Sequence, residues 1–136
     1  MKFEDIKVGD PVPGLKQDVT IIGMAMYCGI TWDFARQHYD HQFAGTLGYE
    51  GPVVDPQMYG AFLARMLTDW IAEKGRIRRL AMRYMAPAYL GDTLSYSGKV
   101  AEVSSEQGNR HIRCELFVEE QKGRVIVKGS ADVLFF

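Results

Sequence analysis

The sequence predicts an α+β domain in which a five-stranded antiparallel sheet wraps around one long central helix. Three observations carry the prediction. Apolar residues recur at spacings of three and four from Met58 to Ile71, as they do on the buried stripe of an amphipathic helix. Beyond Gly75 the apolar period falls to two through four successive runs, the alternation of half-buried strands. A chain of 136 residues with 47% hydrophobic content can bury one ordinary core and is too short for two domains of usual size. A single domain over residues 1–136 is therefore expected.

In chain order, Lys16 to Ile22 reads as the first strand and Ile22 to Cys28 as a short helix of small and apolar residues. The long helix follows, with Met58, Phe62, Leu63, Met66, Leu67, Trp70 and Ile71 as its stripe. Asp55 can accept from the free amides of the first turn, and Pro56 at the first helical position forfeits no hydrogen bond. Gly75 supplies the stop. From about Pro56 to Lys74 the helix would be roughly 28 Å long at ~1.5 Å per residue, enough to cross a sheet.

The four later runs place Leu80, Met82 and Tyr84, then Leu94, Tyr96, Gly98 and Val100, then Ile112, Cys114, Leu116 and Val118, then Val125, Val127, Gly129, Ala131 and Val133 on one face. Turn-forming residues separate them at Pro87 to Asp92, Glu106 to Asn109 and Gln121 to Gly123. Sequential strands with short connections predict an antiparallel meander. With a long helix inside it, such a sheet has the hot-dog architecture. A lone sheet leaves open edges, so two sheets joined edge to edge in a homodimer or higher homo-oligomer are expected.

Charge excludes several classes of function. With 16 basic and 17 acidic residues the formal net charge is −1, which gives no one-signed field for nucleic acid or a polybasic membrane contact. Tyr27, Trp32, Tyr49, Tyr59 and Trp70 read as core and pocket wall, since no basic run interleaves with them as on a nucleic-acid stacking surface. The polar N-terminus lacks the pattern of a secretory signal, and no stretch is long and apolar enough to span a membrane. Only Cys28 and Cys114 are present, too few for a disulfide scaffold. A cytoplasmic protein is expected.

Between the first strand and the long helix runs Thr31-Trp32-Asp33-Phe34-Ala35-Arg36-Gln37-His38-Tyr39-Asp40, continued by His41-Gln42-Phe43-Ala44. The pattern Asp33-Phe34-x-x-x-His38-x-Asp40-x-x-Phe43-Ala44 resembles the hydratase motif of the MaoC-like, (R)-specific enoyl-CoA hydratase family. That motif is usually Gly-Asp-Phe-Asn-Pro-hydrophobic-His-x-Asp-x-x-Phe-Ala. Gly48 to Arg65 resembles the stretch leading into the family's central helix, and Pro87 to Leu94 its Pro-x-x-x-Gly-Asp-Thr-Leu turn.

The resemblance implies a hot-dog fold and a hydratase or dehydratase acting on an acyl-CoA thioester, with no cofactor beyond the CoA of the substrate. Asp33 and His38 would be its catalytic pair: hydration of a 2-enoyl thioester needs a base for a water proton and an acid for the α-carbon. Asp55, Pro56, Gln57 and Met58 would bind the substrate at the start of the long helix, where amides and the helix dipole can stabilise a developing oxyanion.

The sequence departs from the family pattern in two places. Ala35-Arg36 replaces Asn-Pro, and Asp55-Pro56 replaces His-Gly. Proline lacks the N–H that the family's glycine donates, so the donor is expected to shift to the Gln57 amide or its side chain. An Asp55 carboxylate would repel an oxyanion unless it is fully engaged in capping.

Two other functions fit the same fold: a non-catalytic acyl-thioester-binding subunit forming a heteromer with another hot-dog subunit, and a thioesterase. Asp40 reads as the N-cap of the next helix. His38, Asp40 and His41 are too crowded to form a metal site, and no cysteine lies near them in sequence; no metal is expected. Arg76, Arg78, Arg79 and Arg83 read as a solvated face, or as attraction for nucleotide phosphates at a pocket mouth.

Overall fold

Five strands, β1 (Pro11–Asp18), β2 (Gly75–Tyr84), β3 (Thr93–Glu106), β4 (Asn109–Glu120) and β5 (Val125–Phe135), form one antiparallel sheet in the order β1-β3-β4-β5-β2. The computed structural model describes residues 2–106 and 109–136. Three α-helices, α1 (Ile21–Thr31), α2 (His41–Thr46) and α3 (Pro56–Ile71), precede β2. The expected turn at Glu106 to Asn109 includes residues 107 and 108, which lie outside the described residues.

Helix α3 lies against β1, β2 and β3, with Leu63, Met66, Leu67 and Ile71 buried among Val100, Leu116, Val127 and Val133 of the sheet. Each such apolar side chain stabilises the fold by about 1.5–3 kcal/mol. Close approach is possible at Gly60, where a Cβ would fall 2.7 Å from the Met82 Cε. Phe62 stacks on Tyr96 at 5.4 Å between centroids.

The start of α3 is as expected: Asp55 Oδ1 accepts from the Gln57 amide at 2.8 Å, with Pro56 in the first turn. Its end is not. The α-helix stops at Ile71, Ala72 takes φ 49°, and a 3-10 turn over Ala72–Lys74 leads into β2. Gly75 opens the strand rather than stopping the helix, and only glycine fits there, since a Cβ would lie 2.5 Å from the Leu134 carbonyl oxygen across the ladder.

Three further expectations are corrected. Strand β1 begins at Pro11 and ends at Asp18; an edge strand tolerates proline, here Pro11 as its first residue and Pro13 in the irregularity between Val12 and Leu15. Thr20 accepts from the Gly23 amide at 3.0 Å and so starts α1 at Ile21, which takes Ile21 and Ile22 into the helix. The meander holds for β3, β4 and β5 only. Strand β2 pairs with β5, three positions from β3, a gap of ~14 Å at ~4.8 Å per strand. Residues 85–92 cross that gap instead of forming a hairpin, tied down by Met85 N to Ile126 O at 2.9 Å and Ala88 O to Val54 N at 2.9 Å.

Candidate active site

The cavity wall is assembled from three segments that meet only in the folded chain. Helix α1 ends at Trp32, whose left-handed φ of 60° turns the backbone; its ring is 81% exposed rather than part of the core. Asp33 follows and folds back on its own loop, Oδ1 accepting from the Ala35 amide at 3.1 Å, the short side-chain turn that aspartate favours. A 3-10 turn over Arg36–His38 then carries the chain to Asp40. Asp40 caps α2, accepting from the Phe43 amide at 2.9 Å, and pairs with Arg36 at 2.6 Å. The amide and the guanidinium together hold its carboxyl below the usual carboxylate range.

His38 is 4% exposed, and its Nδ1 lies 2.7 Å from the Val53 carbonyl oxygen. A carbonyl can only accept, so Nδ1 carries the proton and Nε2 of the neutral ring is left as an acceptor. The one side chain within hydrogen-bonding reach of Nε2 among the described residues is the Gln37 carboxamide, at 3.5 Å. Val53 is itself fixed, its amide donating to Gln37 O at 3.0 Å and the residue forming a bridge with Tyr89. Val54 N donates to Ala88 O at 2.9 Å, which delivers the next residue, Asp55, to the same place.

Asp55 is 4% exposed. Its Oδ1 receives the Gln57 amide, while Oδ2 is buried without a hydrogen-bond partner among the described residues. One donor atom from each of Asp33, His38 and Asp55 lies within 4.8 Å of the others. All three line a cavity of about 640 Å³, together with Pro56, Gln57, Tyr59, Tyr84 and Pro87, a volume suited to part of a small-molecule ligand. Both carboxylates are felt behind the wall: burial raises the Cys28 thiol above its ordinary value, and the charges of Asp33 and Asp55 raise it further.

Of the expected site residues, the fold brings together Asp33, His38, Asp55, Pro56 and Gln57. Met58 is elsewhere, 5% exposed in the core, its sulfur accepting from Gln17 Nε2 at 3.7 Å; one helical step past Gln57 turns it toward the sheet. The Gln57 amide, expected as a substitute oxyanion donor, is taken by Asp55 Oδ1. Arg76, Arg78, Arg79 and Arg83 are exposed and off this wall; Arg78 and Arg79 border a separate cavity of about 550 Å³ with His111 and Asp132. Sequence reasoning placed Asp55 with the substrate-binding helix start but did not foresee its carboxylate so close to Asp33 and His38. The Asp-Pro pair signalled a helix start, but the approach of Val53 to His38 that sets the geometry has no local signature.

Residues 7–122 match the family described as MaoC like domain. The chain is 23% identical over 111 residues to the (R)-specific enoyl-CoA hydratase of Aeromonas caviae, covering 81% of each protein. It is 29% identical over 100 residues to the 3-oxo-4,17-pregnadiene-20-carboxyl-CoA hydratase beta subunit of Mycobacterium tuberculosis, covering 71% of this chain and 75% of that one. The solved (R)-hydratase of A. caviae superposes with a TM-score of 0.88 over 98% of this chain and 99% of its own, at 19% identity, which shows the hot-dog fold. With the domain match running over most of its length, the chain belongs to the MaoC-like dehydratase family.

Proposed function

We propose that the protein interconverts 2-enoyl and 3-hydroxyacyl thioesters by adding or removing water, with Asp33 and His38 handling that water. The observation that carries this reading is the orientation of His38: its bond to the Val53 carbonyl leaves Nε2 as an acceptor in a cavity that Asp33 also lines. In the hydration direction Nε2 takes a water proton, while Asp33 accepts the second hydrogen bond and fixes the water's direction. The water oxygen bonds to C3, the π pair moves toward C2 and the thioester oxygen, and the proton held between the two residues is returned to C2. One molecule of water is added in net.

Negative charge on the thioester oxygen needs a donor near the tip of α3. Pro56 has no N–H and the Gln57 amide is engaged, so the Gln57 carboxamide is the donor that this turn still offers. Losing one such donor costs about 3–4 kcal/mol in a transition state, which makes a slow hydratase the expectation. A panel of 2-enoyl-CoA substrates tests the assignment. Hydration is expected in the wild type and lost in Asp33→Asn and His38→Ala with unchanged circular dichroism. Full activity in either folded variant would remove that residue from the chemistry.

The same Asp55-Pro56 tip favours a second reading, a thioester-binding subunit that completes a heteromer with another hot-dog subunit. The M. tuberculosis relative is named as a beta subunit. Native mass after coexpression with a candidate partner separates the two: a homodimer active alone needs no partner, whereas an inactive chain that gains hydration only in the heteromer supports the second.

A further inference from the structure

We propose that the outer face of β2 and β5, the one turned away from α3, binds the phosphates of coenzyme A, with Arg83 and Lys128 on the diphosphate and Arg79 on the 3′-phosphate. This rests on the thioester reading above and names the carrier of the acyl group. Register fixes which side chains share the face. Ile77, Leu80 and Tyr84 pair with Val133, Ala131 and Val127, which are buried, so Arg76, Arg79 and Arg83 and their partners Leu134, Asp132 and Lys128 point outward. Arg78 falls in the irregularity between Ile77 and Arg79.

Strand β2 holds four arginines and no acid, in a chain whose formal net charge is −1. Their side chains, and that of Lys128, have no ion-pair partner among the described residues. The acid on this strip, Asp132, is bonded to Arg113 at 3.2 Å. Arg83 lies directly opposite Lys128, and like charges so placed destabilise a sheet. An anion between them turns that repulsion into two attractions. The Cβ atoms of such a pair stand about 4.5–5.5 Å apart, close enough for both cations to meet one diphosphate, and a guanidinium offers phosphate oxygens two parallel N–H donors.

Position ties the pair to the cavity. Tyr84, the residue after Arg83 and the last of β2, lines the cavity that holds Asp33 and His38, as does Met85. Both are about half exposed and form the lip of that cavity at the edge of the sheet. A pantetheine arm that leaves the tip of α3 over this lip carries its diphosphate to Arg83 and Lys128. Four residues back along β2, roughly 13 Å at ~3.3 Å per residue, Arg79 borders the cavity of about 550 Å³ with Arg78, His111 and Arg113, a concave place for the adenosine and its 3′-phosphate. A close pair of cations and a cavity suit a nucleotide better than the flat contact of a carrier protein.

The test is isothermal titration with butanoyl-CoA and with S-butanoylpantetheine, saturated thioesters that have no C2=C3 double bond to hydrate. Wild-type protein should bind the CoA thioester at least about tenfold more tightly, the worth of one charge-assisted hydrogen bond or more, and added salt should shrink the difference. Arg83→Gln/Lys128→Gln with wild-type circular dichroism should lose most of the preference, and each single variant part of it. Lys99→Gln, which removes a cation bound to Glu115 elsewhere on the same face, should keep it. Equal binding of both thioesters by the wild type overturns the site, as does a preference kept by the double variant or lost equally in Lys99→Gln. Tighter binding of an acidic carrier protein bearing the same acyl-pantetheine than of butanoyl-CoA overturns the nucleotide as occupant. Phosphate preference in a protein that hydrates no 2-enoyl thioester removes the reaction and keeps the site; hydration without the preference does the reverse.

Discussion

At its last two turns α3 buries Met66, Leu67 and Ile71 against the sheet, each 2% exposed or less, whereas its N-cap buries Asp55 almost as deeply with a carboxylate oxygen left over. The same helix therefore stabilises the fold at one end and gives up stability at the other. Burial of the apolar stripe is favourable by about 1.5–3 kcal/mol for each side chain. An unpartnered buried acceptor costs about 1–3 kcal/mol, and more when charged. Local rules that hold through the helix and fail at its tip mark the tip as the place where function has displaced stability.

The comparison breaks most visibly in catalysis. Asp33→Asn and His38→Ala should each lower hydration by roughly 10²- to 10⁴-fold, the usual contribution of acid–base catalysis, with no comparable change in a urea midpoint. Leu67→Ala should do the opposite. It should cost about 2–5 kcal/mol of stability, read from urea unfolding, and leave kcat/KM per folded molecule unchanged. A catalytic defect in Leu67→Ala at a temperature where the variant is folded would mean the two ends are coupled.

Asp55→Asn sharpens the contrast at the tip itself. The amide oxygen keeps the capping bond to the Gln57 amide and the buried charge is gone, so unfolding should shift by less than about 1 kcal/mol. A loss of several kcal/mol would show Asp55 to be a structural anchor like the stripe. The smallest effect is expected at the cysteines. Burial raises both thiols, Cys114 to about 11, so iodoacetamide near neutral pH should label neither in the folded protein and both after denaturation. Since the folded chain disfavours the thiolates, stability should decline as pH rises past the ordinary thiol value. Rapid labelling of native Cys28 would show that the wall behind Asp33 and Asp55 opens.

Much of this molecule was legible before folding because its signals are local. Asp55-Pro56 marked the start of α3, the spacing of three and four marked its buried face, and strict alternation placed Leu94, Tyr96, Ile112, Cys114, Leu116 and Val118 inside. What the sequence hid depends on pairing between distant residues. Nothing local tells β2 to lie beside β5 rather than β3, and alternation alone put Tyr84 in the core, whereas it lines the cavity at 49% exposure. The site divides in the same way: the five-residue offset of Asp33 and His38 could be read and Asp55 placed at the helix start, but the approach of this second carboxylate to the pair could not, because its position is set by Val54 pairing with Ala88.

The account turns on one water meeting one carboxylate and one imidazole at the tip of α3. Its most direct test is mass spectrometry of 2-enoyl-CoA substrates incubated in heavy-oxygen water with the wild type and with Asp33→Asn. The wild type should yield a 3-hydroxyacyl product carrying one heavy oxygen at C3, and the folded variant should yield almost none. No labelled product from any substrate, or equal labelling by both proteins, would contradict the account.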